Sequence, residues 1–168
     1  MKLAETKRLY LRNLFSADVD EIFDYRNNEE CNQYQRWEDF SKPDIQEFIG
    51  KFQNDEFMST KEEQHFAICL AENDALVGEL AYFYNENDCI TLGISISYKH
   101  HKKGYAFEVL EEVIHQIKEK YPTMDIVGLI EKENAKSIGL FEKLGFVQEC
   151  YAESISSYVY VIYGKEQN

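Results

Sequence analysis

Along this chain, apolar residues recur at two spacings, every second position in short segments and every third or fourth in longer ones. Lys7 to Asn13 alternates around Leu9 and Leu11 and predicts a first strand. Ser16 is the predicted N-cap of a helix carrying Val19, Ile22, Phe23 and Arg26, with Asp18, Asp20 and Glu21 suited to its positive end. Asn27 to Phe40 is polar and aromatic without a clean period, and reads as a loop or irregular helix. A second helix opens at Ser41-Lys42-Pro43, where proline fits the first helical position, and it sets Ile45, Phe48, Ile49 and Phe52 on one face. Three strands follow, Gln64 to Leu70, Ala75 to Tyr84 and Asp88 to Ser97. The last two are joined by the hairpin cue Asn85-Glu86-Asn87-Asp88. A long amphipathic helix from about Gly104 to Tyr121 carries the stripe Ala106, Val109, Leu110, Val113, Ile114, Ile117, and Pro122 closes it. Asp125 to Ile130 reads as a short buried strand. Asn134 to Leu144 reads as a helix ended by Gly145, where a left-handed residue is needed. Phe146 to Tyr151 and Ser156 to Tyr163 are the final strands. The order β-α-α-β-β-β-α-β-α-β-β predicts an α/β (α+β) fold with one mixed, mostly antiparallel, seven-stranded sheet flanked by helices.

Length and composition narrow the class. The 168 residues favour one domain over 1–168, large enough to bury a sizeable core without staples. Lys plus Arg number 18 against 31 Asp plus Glu, a net charge of −13. Such a chain is expected to avoid nucleic acid and anionic membranes; the same charge serves solubility and could favour a cationic substrate. Cys31, Cys69, Cys89 and Cys150 form no CxxC pair or zinc spacing and read as reduced thiols. No segment approaches the roughly 20 apolar residues that span a bilayer, and the N-terminus has no apolar signal core, so a cytoplasmic location is expected.

The segment Ile94 to Ala106 carries the most chemistry. A strand ends, a basic loop His100-His101-Lys102-Lys103 follows, and a long helix opens at Gly104. Such a helix start presents unpaired N–H groups and a positive dipole end, and glycine lets a diphosphate approach closely. Neither the GxxxxGK[ST] loop nor GxGxxG after the first strand is present. A solvated turn with ordinary lysines would give the same local pattern. His100 and His101 have no further ligand at metal spacing, so no metal is expected.

His101-Lys102-Lys103-Gly104-Tyr105-Ala106 resembles the coenzyme A motif Arg/Gln-x-x-Gly-x-Gly/Ala of the general N-acetyltransferase (GNAT) superfamily, and Glu108 extends the match toward its Rim-type branch of ribosomal-protein N-acetyltransferases. Asn134-Ala135-Lys136-Ser137 and Glu142-Lys143-Leu144-Gly145-Phe146 resemble the branch's second signature, and Thr6 to Arg12 fits its opening. The resemblance spans nearly the whole chain and implies a GNAT-like fold and acetyl transfer from acetyl-coenzyme A to a primary amine, either a protein N-terminus or a small cationic amine. It implies a monomer or homodimer and no metal. It implies that His101, Lys102, Lys103, Gly104, Tyr105 and Ala106 cradle the pyrophosphate. Ile96 and Ser97 would pair with the pantetheine arm, which a splay between that strand and Asp125–Ile130 admits. Asn134 and Ser137 would lie near the thioester, and Phe141 stands where many relatives carry a leaving-group tyrosine. Ser137 is the substitute acid the resemblance suggests.

The remaining chemistry follows from residue type. Glu79, inside the apolar run Val77 to Tyr82, is the first candidate base, unless it faces water or pairs with a cation; Glu153 is the reserve. A backbone N–H near Ser97 could polarise the thioester carbonyl. Asn134 also fits a helix N-cap. Tyr34, Trp37 and Glu38 are candidate acceptor contacts, with a Trp packed under a loop as the structural alternative. His115 reads as a surface residue. Set against the enzyme is a non-catalytic acyl-coenzyme A-binding module, favoured by Phe141 and the altered loop.

Overall fold

A computed structural model describes residues 1–38 and 40–166. Asp39, inside the expected irregular stretch, and the last two residues of the expected 1–168 domain lie outside it. Eight strands form one sheet in the order β1-β2-β3-β4-β5-β6-β8-β7: β1 (Ala4–Glu5), β2 (Leu9–Asn13), β3 (Glu63–Leu70), β4 (Leu76–Asn85), β5 (Cys89–Ile96), β6 (Asp125–Ile130), β7 (Val147–Ala152) and β8 (Ser157–Ile162). The expected seven become eight because Ala4 and Glu5 pair antiparallel with Leu11 and Tyr10. Two residues are too few for an alternation to show. Every neighbouring pair is antiparallel except β5 and β6.

The helices are α1 (Val19–Arg26), α2 (Glu29–Asn32), α3 (Lys42–Phe52), α4 (Tyr105–Lys120) and α5 (Ala135–Lys143). Ser16 is not the cap of α1; it lies in a 3-10 turn, Ser16–Asp18, that precedes the helix. Asp18 is pinned there by Arg12, with both carboxylate oxygens 2.8 Å from the guanidinium. The irregular stretch holds the one-turn α2, whose cap Asn28 accepts from the Glu30 N–H at 3.0 Å. Ser41 caps α3 as expected, 3.2 Å from the Asp44 N–H. Gly145 (φ +99°) ends α5: its N–H donates to Glu142 and that of Phe146 to Phe141, the paired bonds of a left-handed helix stop.

Two cores pack on the sheet. Residues alternating outward from β3 and β4 (Phe66, Ile68, Leu80, Tyr82) meet the α4 stripe Val109, Leu110, Val113, Ile114 and Ile117. The opposite face carries Ala67 and Cys69 beneath Ile22 and Tyr25 of α1 and Ile45, Phe48, Ile49 and Phe52 of α3. The period-two and period-3.6 faces read from the sequence are therefore the faces that close on one another.

Candidate functional site

Strands β5 and β6 lie side by side only at Cys89–Asp125, Ile90–Ile126 and Thr91–Val127. Beyond Thr91 they separate, and the unpaired stretch of β5 becomes one wall of an opening in the sheet. The Ser97 N–H donates to Val77 O at 2.7 Å, so Ser95 and Gly93 also turn their backbone groups toward β4. By antiparallel alternation, Leu92, Ile94 and Ile96 direct theirs into the opening. Of the residues expected to pair with the pantetheine arm, Ser97 is committed to β4, while the N–H groups of Ile94 and Ile96, on the strand ending near Ser97, face the opening.

Two cavities meet at that opening. The first is a groove of about 660 Å³ along the end of β5 and the start of α4. Its floor is the sequence-predicted turn. Lys102 (φ +63°) and Gly104 (φ +77°) are both left-handed, and Gly104 is the α4 N-cap with no side chain to cap it. The first bond of α4 runs from the Glu108 N–H to Gly104 O, leaving the N–H groups of Tyr105, Ala106 and Phe107 facing the groove end. Lys102 thus adopts the left-handed backbone that glycine takes most readily, which keeps the turn tight without a second glycine. Lys102, Lys103, Lys136 and Lys143 line this groove against one carboxylate, Glu30. His101 also lines the groove, and its Nε2 bonds Ile96 O at 2.7 Å and closes the loop onto β5. Burial and then Lys103 hold the His100 imidazole below its ordinary range.

The second cavity, about 470 Å³, lies on the α1/α3 face of the sheet. Glu38, Glu63 and Glu131 line it together with Arg26 and Arg36. Arg36 reaches the Ile155 carbonyl and Ser157 Oγ. Tyr34, Trp37 and Glu38 all line this chamber, and Tyr34 also borders the groove, its hydroxyl donating to Glu133 O at 3.2 Å. Asn134 and Ser137 stand at the junction of both cavities. Asn134 caps α5 by accepting from the Ser137 N–H at 3.3 Å, while the Ser137 hydroxyl has no protein partner among the described residues. Phe141 is buried, packs edge-on against Phe146, and fills the space over Gly128, where a Cβ would come within 2.5 Å of its ring.

Glu79 lines neither cavity. It is 4% exposed, and its carboxylate is held by Arg26 Nη2 at 2.6 Å, Arg26 Nε at 3.2 Å and the Tyr25 hydroxyl. Arg26 in turn stacks between Trp37 and Phe48, 5.0 and 4.3 Å from their ring centroids. A base needs a free lone pair facing its substrate, and here both carboxylate oxygens are engaged. Burial, reinforced by Glu79, holds the Tyr25 phenol well above its ordinary range. Glu153 begins a 3-10 turn away from both cavities. Sequence reasoning passed over Arg26, Lys136, Lys143 and the pair Glu63–His65. The i, i+2 spacing of that pair on one strand face was its only local signal.

A strand splay beside an uncapped, glycine-initiated helix forms a slot with unpaired N–H groups at one end, suited to an extended ligand that ends in an anion. The sequence matches the acetyltransferase (GNAT) domain over residues 8–147, and the chain belongs to that family. It is an acyltransferase enzyme of the GNAT type. It is 26% identical over 152 residues to an uncharacterized N-acetyltransferase of Bacillus licheniformis, covering 89% of this chain and 84% of that protein. Its fold is similar to a ribosomal-protein-S5-alanine acetyltransferase of Vibrio fischeri (TM-score 0.74, 15% identity, 96% of each chain covered). It is also similar to a mutant spermidine N-acetyltransferase of Vibrio cholerae (TM-score 0.67, 22% identity, 92% of each chain covered).

Proposed function

We propose that this chain, as a single catalytic domain, moves the acetyl group of acetyl-coenzyme A directly to a primary amine, either a protein N-terminal α-amine or a small cationic amine. The observation that carries the reading is the junction at the splay, where a lysine-lined groove meets a chamber lined by three carboxylates. The residues fit the cosubstrate: the left-handed Lys102 and Gly104 turn N–H groups toward a diphosphate, and the lysines neutralise its charge. Ile94 and Ile96 offer strand-edge groups to a pantetheine amide and an N–H to the thioester oxygen, which polarises the carbonyl. Bound there, acetyl-coenzyme A supplies an activated acyl group.

Asn134 and Ser137, at the junction, position the thioester end, and Ser137 is the hydroxyl available to the departing sulfur because Phe141 has none. Tyr34, Trp37 and Glu38 wall the acceptor side. The chamber's carboxylates favour a cationic amine, and the likeness to acetyltransferases named for spermidine and for a ribosomal-protein alanine supports both acceptor types.

Thermal unfolding with acetyl-coenzyme A tests the cosubstrate, and thiol release with N-terminal peptides and spermidine tests the transfer. Ligand at about 100 times its Kd adds roughly 2.7 kcal/mol, or about 5–11 °C for a chain of this size. No shift at millimolar ligand would refute the groove assignment. Binding without turnover on either acceptor would refute the transfer assignment.

A further inference from the structure

We infer that His65, held by Glu63, is the group that takes the proton from the acceptor amine; this rests on the acetyl-transfer reading above. His65 lies on β3 directly opposite Ala81 of β4, and Ala81 lies directly opposite Gly93 of β5. The three therefore stand in one row on the α1/α3 face, the face of the acidic chamber, and all three line it. Ala81 brings a methyl and Gly93 no side chain. The row is an open trough about two strand spacings (~10 Å) long, from the imidazole to the β5 edge. That edge is where the Ile94 N–H points into the splay.

The imidazole is fixed in this trough. His65 is 8% exposed, and its ring meets Phe48, Phe52 and Phe83 at centroid distances of 4.8, 4.5 and 5.9 Å. Its Nε2 is 2.9 Å from Glu63 Oε1. A carboxylate only accepts, so Nε2 carries the hydrogen and the neutral ring keeps its lone pair on Nδ1. Nδ1 is buried and has no hydrogen-bond partner among the described residues. A polar atom buried without a partner is costly, and a ligand that meets it relieves that cost. A carboxylate that sets the tautomer of an imidazole and leaves the other nitrogen bare is the arrangement of a general base. The charged groups around the ring are Glu63 on its own strand, Arg26 over the Phe48 ring, and Lys51 and Lys61 over the Phe52 ring.

In the step, the amine nitrogen yields a proton that water in the trough relays to Nδ1, and its electron pair forms the C–N bond to the acetyl carbon. The C–S bond breaks with its pair on sulfur. The proton held by His65 reaches that sulfur through solvent or the junction hydroxyl, leaving amide, thiol and a neutral imidazole.

The test is thiol release by the full chain with acetyl-coenzyme A, using spermidine and an N-terminal peptide as acceptors. His65→Phe keeps an aromatic ring among Phe48, Phe52 and Phe83 while removing both nitrogens. It should lower kcat roughly 100-fold or more while leaving KM for acetyl-coenzyme A and the ligand-induced Tm shift unchanged. Raising the pH from 7 to 9 should restore this variant by up to about tenfold per unit, as solvent takes the amine proton instead, and wild type should gain less. Glu63→Gln should lower kcat less, because the imidazole remains but loses its orienting carboxylate. Should His65→Phe lose the ligand shift through misfolding, His65→Gln is judged by the same criteria. A kcat within threefold of an active wild type in the folded variant would overturn the inference. Wild type lacking both Tm shift and turnover would overturn the acetyl-transfer reading, and the proton route with it.

Discussion

Glu79→Gln separates a structural carboxylate from a catalytic one. The carboxylate and the Arg26 guanidinium are 4% and 1% exposed and 2.6 Å apart. The Gln side chain keeps the shape and one acceptor but removes the negative charge that lies 2.6 Å from the guanidinium buried between Trp37 and Phe48. Removing one partner of a buried pair costs about 3–5 kcal/mol, and the retained amide oxygen places this change near the lower end. At about 2–4 °C per kcal/mol, Tm should fall by roughly 6–12 °C. The further Tm rise produced by acetyl-coenzyme A should persist, because Glu79 lines neither cavity. Arg26→Met combined with Glu79→Leu removes both charges together and should recover much of the loss, with a large coupling term between the sites. Thermal unfolding, with and without acetyl-coenzyme A, reads all of this. A variant with unchanged Tm and collapsed kcat would refute the reasoning and restore Glu79 as the base.

Gly104→Glu should abolish the acetyl-coenzyme A Tm shift, since the new carboxylate meets the diphosphate and leaves the left-handed backbone (φ +77°) to a residue that resists it; retained affinity would remove the phosphate site. Lys102→Val should cost about 1–2 kcal/mol of stability, read as a lower Tm, because a β-branched residue opposes φ +63°, whereas Lys102→Gly should leave Tm nearly unchanged. Asn134→Ala removes the cap on the Ser137 N–H and should cost about 1 kcal/mol of stability together with affinity at the junction. Burial raises the Glu108 carboxyl, but hydrogen bonds from Thr6 and from the Arg8 backbone and guanidinium outweigh it and hold the group below its ordinary range. Its folded value being depressed, its contribution is complete above the unfolded carboxylate range (about 4.3) and is lost as pH falls through the folded value. Glu108→Gln should therefore lower Tm at pH 7 and make little difference near the acid end of a pH series.

How far the fold was legible depended on the range of the interactions that set it. The α4 stripe, the strand Asp125–Ile130, the proline-led start of α3 and the glycine stop of α5 are local patterns, and each appears within a residue or two of its expected place. β1 exists only because Leu11 and Tyr10 accept its pairing, a contact that no period in Ala4–Glu5 announces. The phosphate turn was visible as a spacing, yet only geometry reveals that Lys102 is left-handed. Glu79 was singled out correctly as an unusual carboxylate in an apolar strand. Its partners, Tyr25 and Arg26, come from a helix more than fifty residues upstream, so sequence alone could not separate a paired acid from a catalytic one. His65 hid for the same reason: its packing partners sit on α3 and β4.

Net charge illustrates the same division between local and global. A value of −13 argues against anionic partners when it is spread evenly, yet coenzyme A is itself an anion. Charges exposed to solvent are largely screened beyond about 8 Å at physiological salt, so a ligand in the groove responds to the lysines beside it rather than to the molecular total. Lys102 and Lys103 come from the loop before α4, and Lys136 and Lys143 from α5, so the groove draws its lysines from two separate segments. The acids Glu38, Glu63 and Glu131 belong to three other segments and converge on the chamber across the splay. The opening between β5 and β6 is therefore a passage between a lysine-lined groove and a chamber where three carboxylates stand with Arg26 and Arg36. An anionic donor and a cationic acceptor can approach from opposite sides and meet where Ile94, Asn134 and Ser137 border both cavities. On the acetyl-transfer reading proposed above, the overall acidity would draw a cationic amine toward the chamber at low salt and slow the approach of an anionic cosubstrate, which the groove lysines would attract only at close range.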